Sequence, residues 1–115
     1  MGTRYSSLRN QMVRSGDITT YAANGAIAIN DGTAVLTKTS AAAMTLASPV
    51  AGDEGTEVKI VGRTAFAHTV TITAGIGGRG AAFDVITFAA VGDNITLLAD
   101  NLTWVPTGSY GVTIS

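Results

Sequence analysis

Few side chains in this sequence could do chemistry, and their spacing decides how far each reading goes. His68 is the only histidine and there is no cysteine. Metal centres draw several ligands from His, Cys and carboxylates, and a nucleophile-activating histidine needs an orienting partner. The spacing around His68 supplies neither, so it is expected at a strand end, hydrogen-bonded at a sheet or subunit edge. Asp53-Glu54, with Glu57 nearby, is the densest acidic cluster. Calcium loops place oxygen ligands at alternate positions. This cluster does not, and it reads as a solvated turn, like Asp93-Asn94 and Asp100-Asn101. Gly75-Ile76-Gly77-Gly78-Arg79-Gly80 matches the dinucleotide fingerprint literally, with Asp100 downstream. That fingerprint requires a helix opening at the glycines to hold the pyrophosphate. Here Asp84-Val85-Ile86-Thr87-Phe88 follows, which is strand-like. No catalytic set, cofactor site or metal site is predicted, and the sequence is not read as an enzyme.

The elements around these residues are short strands. Candidates are Gly25–Ile29, Thr33–Lys38, Ala43–Ala47, Thr56–Val61, His68–Thr73, Asp84–Phe88, Asn94–Leu98, Leu102–Val105 and Tyr110–Ile114, with turn formers between nearly all of them, Thr107-Gly108 included. Strands at such regular spacing predict an all-β sandwich or barrel. In His68-Thr69-Val70-Thr71-Ile72-Thr73 the threonines take one face and Val70 and Ile72 the other. Glu57-Val58-Lys59-Ile60 and Asn94-Ile95-Thr96-Leu97 alternate likewise, as expected for antiparallel sheets with one packed face. Ala26 to Ile29, the loop Asn30-Asp31-Gly32 and Thr33 to Leu36 read as a hairpin. Ser40 to Met44 reads as a loop leading into a strand. Trp104, in Leu102-Thr103-Trp104-Val105, is expected to be partly exposed or to face an interface.

The chain has 115 residues, of which only 13% are charged, and one Trp, three Tyr and three Phe are its aromatics. This length favours one domain with one core, and small side chains bury little apolar area. A thin core and an uncharged surface together predict that part of the surface lies against another subunit. Net charge is −1. Arg4, Arg9 and Arg14 against Asp17 give residues 1–20 a balance of +2, leaving −3 on the rest. Residues 1–20 are therefore read as a basic, partly extended docking arm, and residues 21–115 as the β domain. Arg4, Tyr5, Leu8, Arg9, Met12 and Arg14 are its contact candidates, with Leu8 and Met12 four apart as on a helical turn. Three arginines cannot mount the multi-phosphate footprint of a genome binder. No apolar run approaches the roughly 20 residues of a membrane span. Met1-Gly2-Thr3-Arg4-Tyr5-Ser6 fits the N-myristoylation pattern, but one acyl chain anchors weakly without a second signal. A soluble, cytoplasmically made protein with neither nucleic acid nor membrane as partner is expected.

The order of segments carries a resemblance. Thr37 to Pro49 is followed by Gly52-Asp53-Glu54-Gly55, then Ala67-His68-Thr69-Val70-Thr71-Ile72, the Gly75–Gly80 loop and Phe88-Ala89-Ala90-Val91-Gly92-Asp93. Ile95 to Ala99, Trp104 and the terminal Gly111-Val112-Thr113 complete it. This progression, over roughly residues 25–115, resembles the small β-structured virion proteins of tailed bacteriophages, particularly head decoration (cement) proteins. Similar modules occur in head and tail fibres. The resemblance implies an antiparallel, jelly-roll-like sandwich that forms a homotrimer on the outer capsid surface and binds the major capsid protein. It would be made in the cytoplasm of the infected bacterium, with the basic arm suited to clamping neighbouring capsid subunits. A fibre module binding a host receptor or glycan is the alternative it implies.

Overall fold

The computed structural model describes residues 17–30 and 32–115. Among the described residues ten strands follow one another: β1 (Ile18–Tyr21), β2 (Gly25–Ala26), β3 (Thr33–Leu36), β4 (Ala43–Thr45), β5 (Glu57–Gly62), β6 (His68–Thr71), β7 (Val85–Phe88), β8 (Asn94–Asp100), β9 (Thr103–Tyr110) and β10 (Thr113–Ile114). They form two five-stranded sheets, ordered β1-β3-β5-β8-β9 and β10-β7-β6-β4-β2. Side-chain alternation drives the local structure: in β5, Val58 and Ile60 are buried while Glu57 and Lys59 are exposed, and in β8 Ile95, Leu97 and Ala99 point inward. Leu36, Ile60, Ile95 and Leu97 from one sheet meet Met44, Val70, Ile86 and Phe88 from the other in one continuous core. The chain is thus the all-β, two-sheet sandwich expected.

The pairing departs from expectation. Odd strands β1, β3 and β5 run parallel in one sheet, and even strands β2, β4 and β6 run parallel in the other. Only β5·β8, β6·β7, β8·β9 and β7·β10 are antiparallel. The first six strands are therefore a flattened coil that crosses between sheets after every strand. Each turn of the coil lays one strand in each sheet, giving three rungs: β1/β2, β3/β4 and β5/β6. After β6 the chain reverses through the glycine loop, and β7/β8 and β9/β10 add two more rungs running back.

The hairpin expected between Ala26–Ile29 and Thr33–Leu36 is accordingly absent. β2 pairs with β4, β3 pairs with β5, and Ile27 is buried as the chain crosses between the sheets. Alternating apolar residues fit a crossover as well as a hairpin arm, since either buries every second side chain. Thr107-Gly108 is not a turn either. β9 runs on through it, and a bulge there shifts the register from Leu97↔Pro106 to Thr96↔Gly108. Pro106 is tolerated because β9 is an edge strand, with no further ladder to receive its missing N–H. Among the described residues paired structure begins at Ile18, so the last three residues of the expected arm belong to β1.

Candidate functional site

Every second sheet-to-sheet crossing of the coil, together with the two crossings of the returning half, lies at one end of the sandwich, as the pairing shows; the crossings from β2 to β3 and from β4 to β5 lie at the other. Tyr21 aligns with Leu36 and Leu36 with Gly62, while Gly62 bonds Asp93 and Gly92 across the next crossing, and Asn94 pairs with Tyr110. Segments 22–24, 37–42, 63–67, 89–93 and 111–112 therefore stack as arcs on a single face. Thr37 N–H donates to the Tyr21 carbonyl at 3.0 Å and Arg63 N–H to the Leu36 carbonyl at 2.9 Å, tying consecutive arcs together.

Two neighbouring arcs of this face are mainly apolar, while Asn24, Lys38, Thr39, Ser40 and Arg63 make the rest of it polar and basic. Ala65, Phe66 and Ala67 are exposed on one arc and Ala89, Ala90 and Val91 on the next, with Phe66 41% and Val91 61% exposed. Tyr110, at the end of β9, is 73% exposed beside them. His68 pairs with Phe88, so these two arcs leave adjacent strand ends. The opposite end of the sandwich differs: Asp53, Glu54 and Asp100 gather there, and Glu54 accepts the Asn101 N–H at 3.1 Å. Loops are normally polar, so a run of exposed Ala, Phe and Val on two adjacent loops marks a surface suited to contact with another protein.

Two buried polar groups shape the arcs. Asp93, 5% exposed, accepts the N–H groups of Ala89 and Ala90 on one carboxylate oxygen at 3.1 and 3.0 Å, and so holds the Ala89–Val91 arc. Gly111 is forced by the same packing: a Cβ there would lie 2.1 Å from the Asp93 carboxylate, on a backbone with φ +76°. His68 is fully buried at the start of β6. Its Nδ1 accepts the Ala42 N–H at 3.0 Å and its Nε2 lies 2.7 Å from Thr64 Oγ1. It sits at a strand end and is hydrogen-bonded, as expected, though it lies within the core. Burial pushes its pKa below the usual histidine value, with the Lys38 charge adding to that and a hydrogen bond at Thr64 opposing it.

The other sequence candidates have structural work to do. Asp53 accepts the Val50 N–H at 2.9 Å and closes a single 3-10 turn. The Gly75–Gly80 loop opens no α-helix. A three-residue 3-10 turn, Ala81–Phe83, follows it and leads to β7. Ile76 is buried and bridges to Trp104, and Gly77 N–H donates to the Trp104 carbonyl at 2.7 Å, so the loop covers the free edge of β9. A Cβ on Gly75 would meet the Gly80 backbone at 2.4 Å, which makes glycine obligatory at this reversal.

Trp104 is not exposed. It is the largest fully buried side chain, and its indole N–H donates to the Ala47 carbonyl at 2.8 Å. A ring this large inside a core of small residues fills space that alanine leaves, and burying it costs little once its one donor is bonded. The arm candidates Arg4, Tyr5, Leu8, Arg9, Met12 and Arg14 lie outside the described residues. Among the described residues no three His, Cys, Asp or Glu side chains gather as a metal-binding group, and no helix is long and apolar enough to cross a membrane. The arc face was missed in the sequence because Ala-Phe-Ala and Ala-Ala-Val resemble strand ends; their position between turn formers was the available signal. No protein-family model matches the chain, and no curated protein matches it.

Proposed function

We propose that this is a structural virion protein, a decoration protein that binds the outer surface of a mature phage head as a trimer and stabilises the lattice of the major capsid protein. One observation supports the reading: a two-sheet stack presents, at one end, two adjacent arcs of exposed apolar residues around Phe66 and Val91, and an acidic cluster at the other. Such a surface gains by burying area against a second protein, at roughly 25 cal/mol per Å² of apolar surface before the costs of association. A ligand that binds only the assembled lattice stabilises it by mass action. The basic residues Arg4, Arg9 and Arg14 add a second point of attachment in this reading.

Heads lacking the protein, mixed with the purified chain, test this directly. The wild-type chain is expected to bind at a ratio approaching one per capsid subunit and to raise the temperature at which heads release their DNA. Phe66→Asp with Val91→Asp should cut that binding at least tenfold, and removal of residues 1–16 should weaken it independently. Undiminished binding by both variants overturns the proposal.

Tyr110, exposed beside the arcs, favours a second reading, a fibre module binding a host receptor or glycan through aromatic stacking. That reading loses Trp104, which is buried. A copy number of only a few per virion, measured against the major capsid protein, would select it.

A further inference from the structure

One polar side chain from each of the first three arcs joins a single chain of contacts. In the first arc, Asn24 Oδ1 accepts the Lys38 ammonium of the second at 3.0 Å and the N–H of Ala43, the first residue of β4, at 2.9 Å. In the third, Thr64 Oγ1 donates to the Lys38 carbonyl at 2.7 Å and contacts His68 Nε2 at 2.7 Å, while His68 Nδ1 accepts the Ala42 N–H.

The donors fix the proton. A backbone N–H only donates, so Nδ1 facing Ala42 carries a lone pair. Neutral histidine then bears its hydrogen on Nε2 and gives it to Thr64 Oγ1, whose own hydrogen goes to the Lys38 carbonyl. From Ala42 through His68 and Thr64 to the Lys38 carbonyl, each hydrogen then meets an acceptor in one direction, and only with the neutral ring. A second proton would set Nδ1–H against the Ala42 N–H, breaking the link between second and third arcs in a fully buried place. Phe66 lies on the third arc with its ring edge-on to His68 at 6.3 Å, so a shift of the imidazole reaches the exposed arc face.

We propose that His68 is an acid-sensitive latch, neutral and closed at neutral pH, whose protonation unties the second and third arcs and loosens the loop bearing Phe66. The charged groups around it are Lys38 on the second arc, Arg63 at the start of its own arc, and Asp93 beyond Phe88, whose carboxylate is engaged with Ala89 and Ala90. Lys38 opposes protonation, in the same direction as burial. Because the folded-state pKa lies below the unfolded one, the unfolded chain binds the proton first. Stability is full above the ordinary histidine value of about 6.5 and falls as pH drops below it, until the folded ring itself protonates. The latch belongs to the isolated chain and does not depend on the virion reading.

The test needs only the wild-type protein and one variant. Ring ¹⁵N shifts at pH 7.5 should show hydrogen on Nε2 and a bare Nδ1. Between pH 7.5 and 5.0, amide exchange at Ala42 and Ala43, corrected for intrinsic rates, should speed at least tenfold, while Thr96 and Val105 in the other half of the fold stay unchanged. His68→Gln, which cannot titrate, should abolish that step. A ring protonated on Nδ1 at pH 7.5, or the same acid step in His68→Gln, overturns the latch; the wild-type ring shifts decide the matter even if the variant does not fold.

Discussion

The coil of β1 to β6 and the returning strands β7 to β10 build rungs of the same stack by opposite means. In the coil, neighbours are parallel and each rung is reached through an arc, whose backbone groups leave the ladder and must find partners elsewhere. Side chains supply them: Asn24, Lys38, Thr64 and His68 satisfy one arc from the next. In the returning half, neighbours are antiparallel, and β8 passes to β9 through a two-residue turn at Asn101-Leu102, with φ of 54° and 64°. Its fixed points are a backbone turn, the Asp93 carboxylate and the buried Trp104. Parallel winding needs polar side chains in its crossings; antiparallel return closes much of its hydrogen bonding with backbone alone.

The strongest way to break that contrast is Trp104→Ala. The ring lies in the returning half, but its indole N–H reaches the Ala47 carbonyl of the coil. Losing the ring should cost about 3–5 kcal/mol, read as a lowered urea midpoint. One cooperative transition would mean that Trp104 binds the halves into a single unit; early loss of β8 and β9 alone would mean they are separable.

Thr64→Val sharpens the comparison from the coil side. It keeps the shape but leaves the His68 Nε2 hydrogen and the Lys38 carbonyl without their partner. The expected cost is about 1–3 kcal/mol, with amide protection lost at Ala42 and Thr69 and retained at Thr96. Equal loss in both halves would show that the ladder is not local to the coil.

Leu102→Gly should have the smallest effect, and a favourable one. Leu102 holds a left-handed backbone at φ 64° with its side chain exposed. Relieving it is worth about 1–2 kcal/mol, offset in part by the greater freedom of glycine in the unfolded chain. A small rise in melting temperature is the expected readout, and a fall would mean that the Leu102 side chain packs on the turn more than its exposure indicates.

What could be read from the sequence follows from which interactions are local. Alternation identified the inward faces of β5, β6 and β8 because each strand has one polar face, and period two needs no knowledge of the partner. The partner itself was illegible. Thr33 pairs with Ile18 and Lys59, at unequal distances along the chain, so no repeat marks the winding. Asn30-Asp31-Gly32 suggested a hairpin because a turn signature reports a change of direction and not the sheet in which the next strand lies. Trp104 was misplaced for a similar reason: its burial depends on Ala47, far away in sequence. Of the candidate site, the hydrogen-bonded strand-end histidine was legible, whereas the arc face exists only once the crossings are stacked.

The rung construction has a consequence for how such a chain can change length. Each full turn of the winding lays one strand in each sheet, so dropping or adding a single strand would leave the two sheets unequal and uncover a hydrophobic stripe. Growth or trimming is therefore quantised in pairs, like adding whole steps to a spiral stair, and each step interacts chiefly with its immediate neighbours. A lineage descended from this architecture should vary in height by entire steps while its width stays constant.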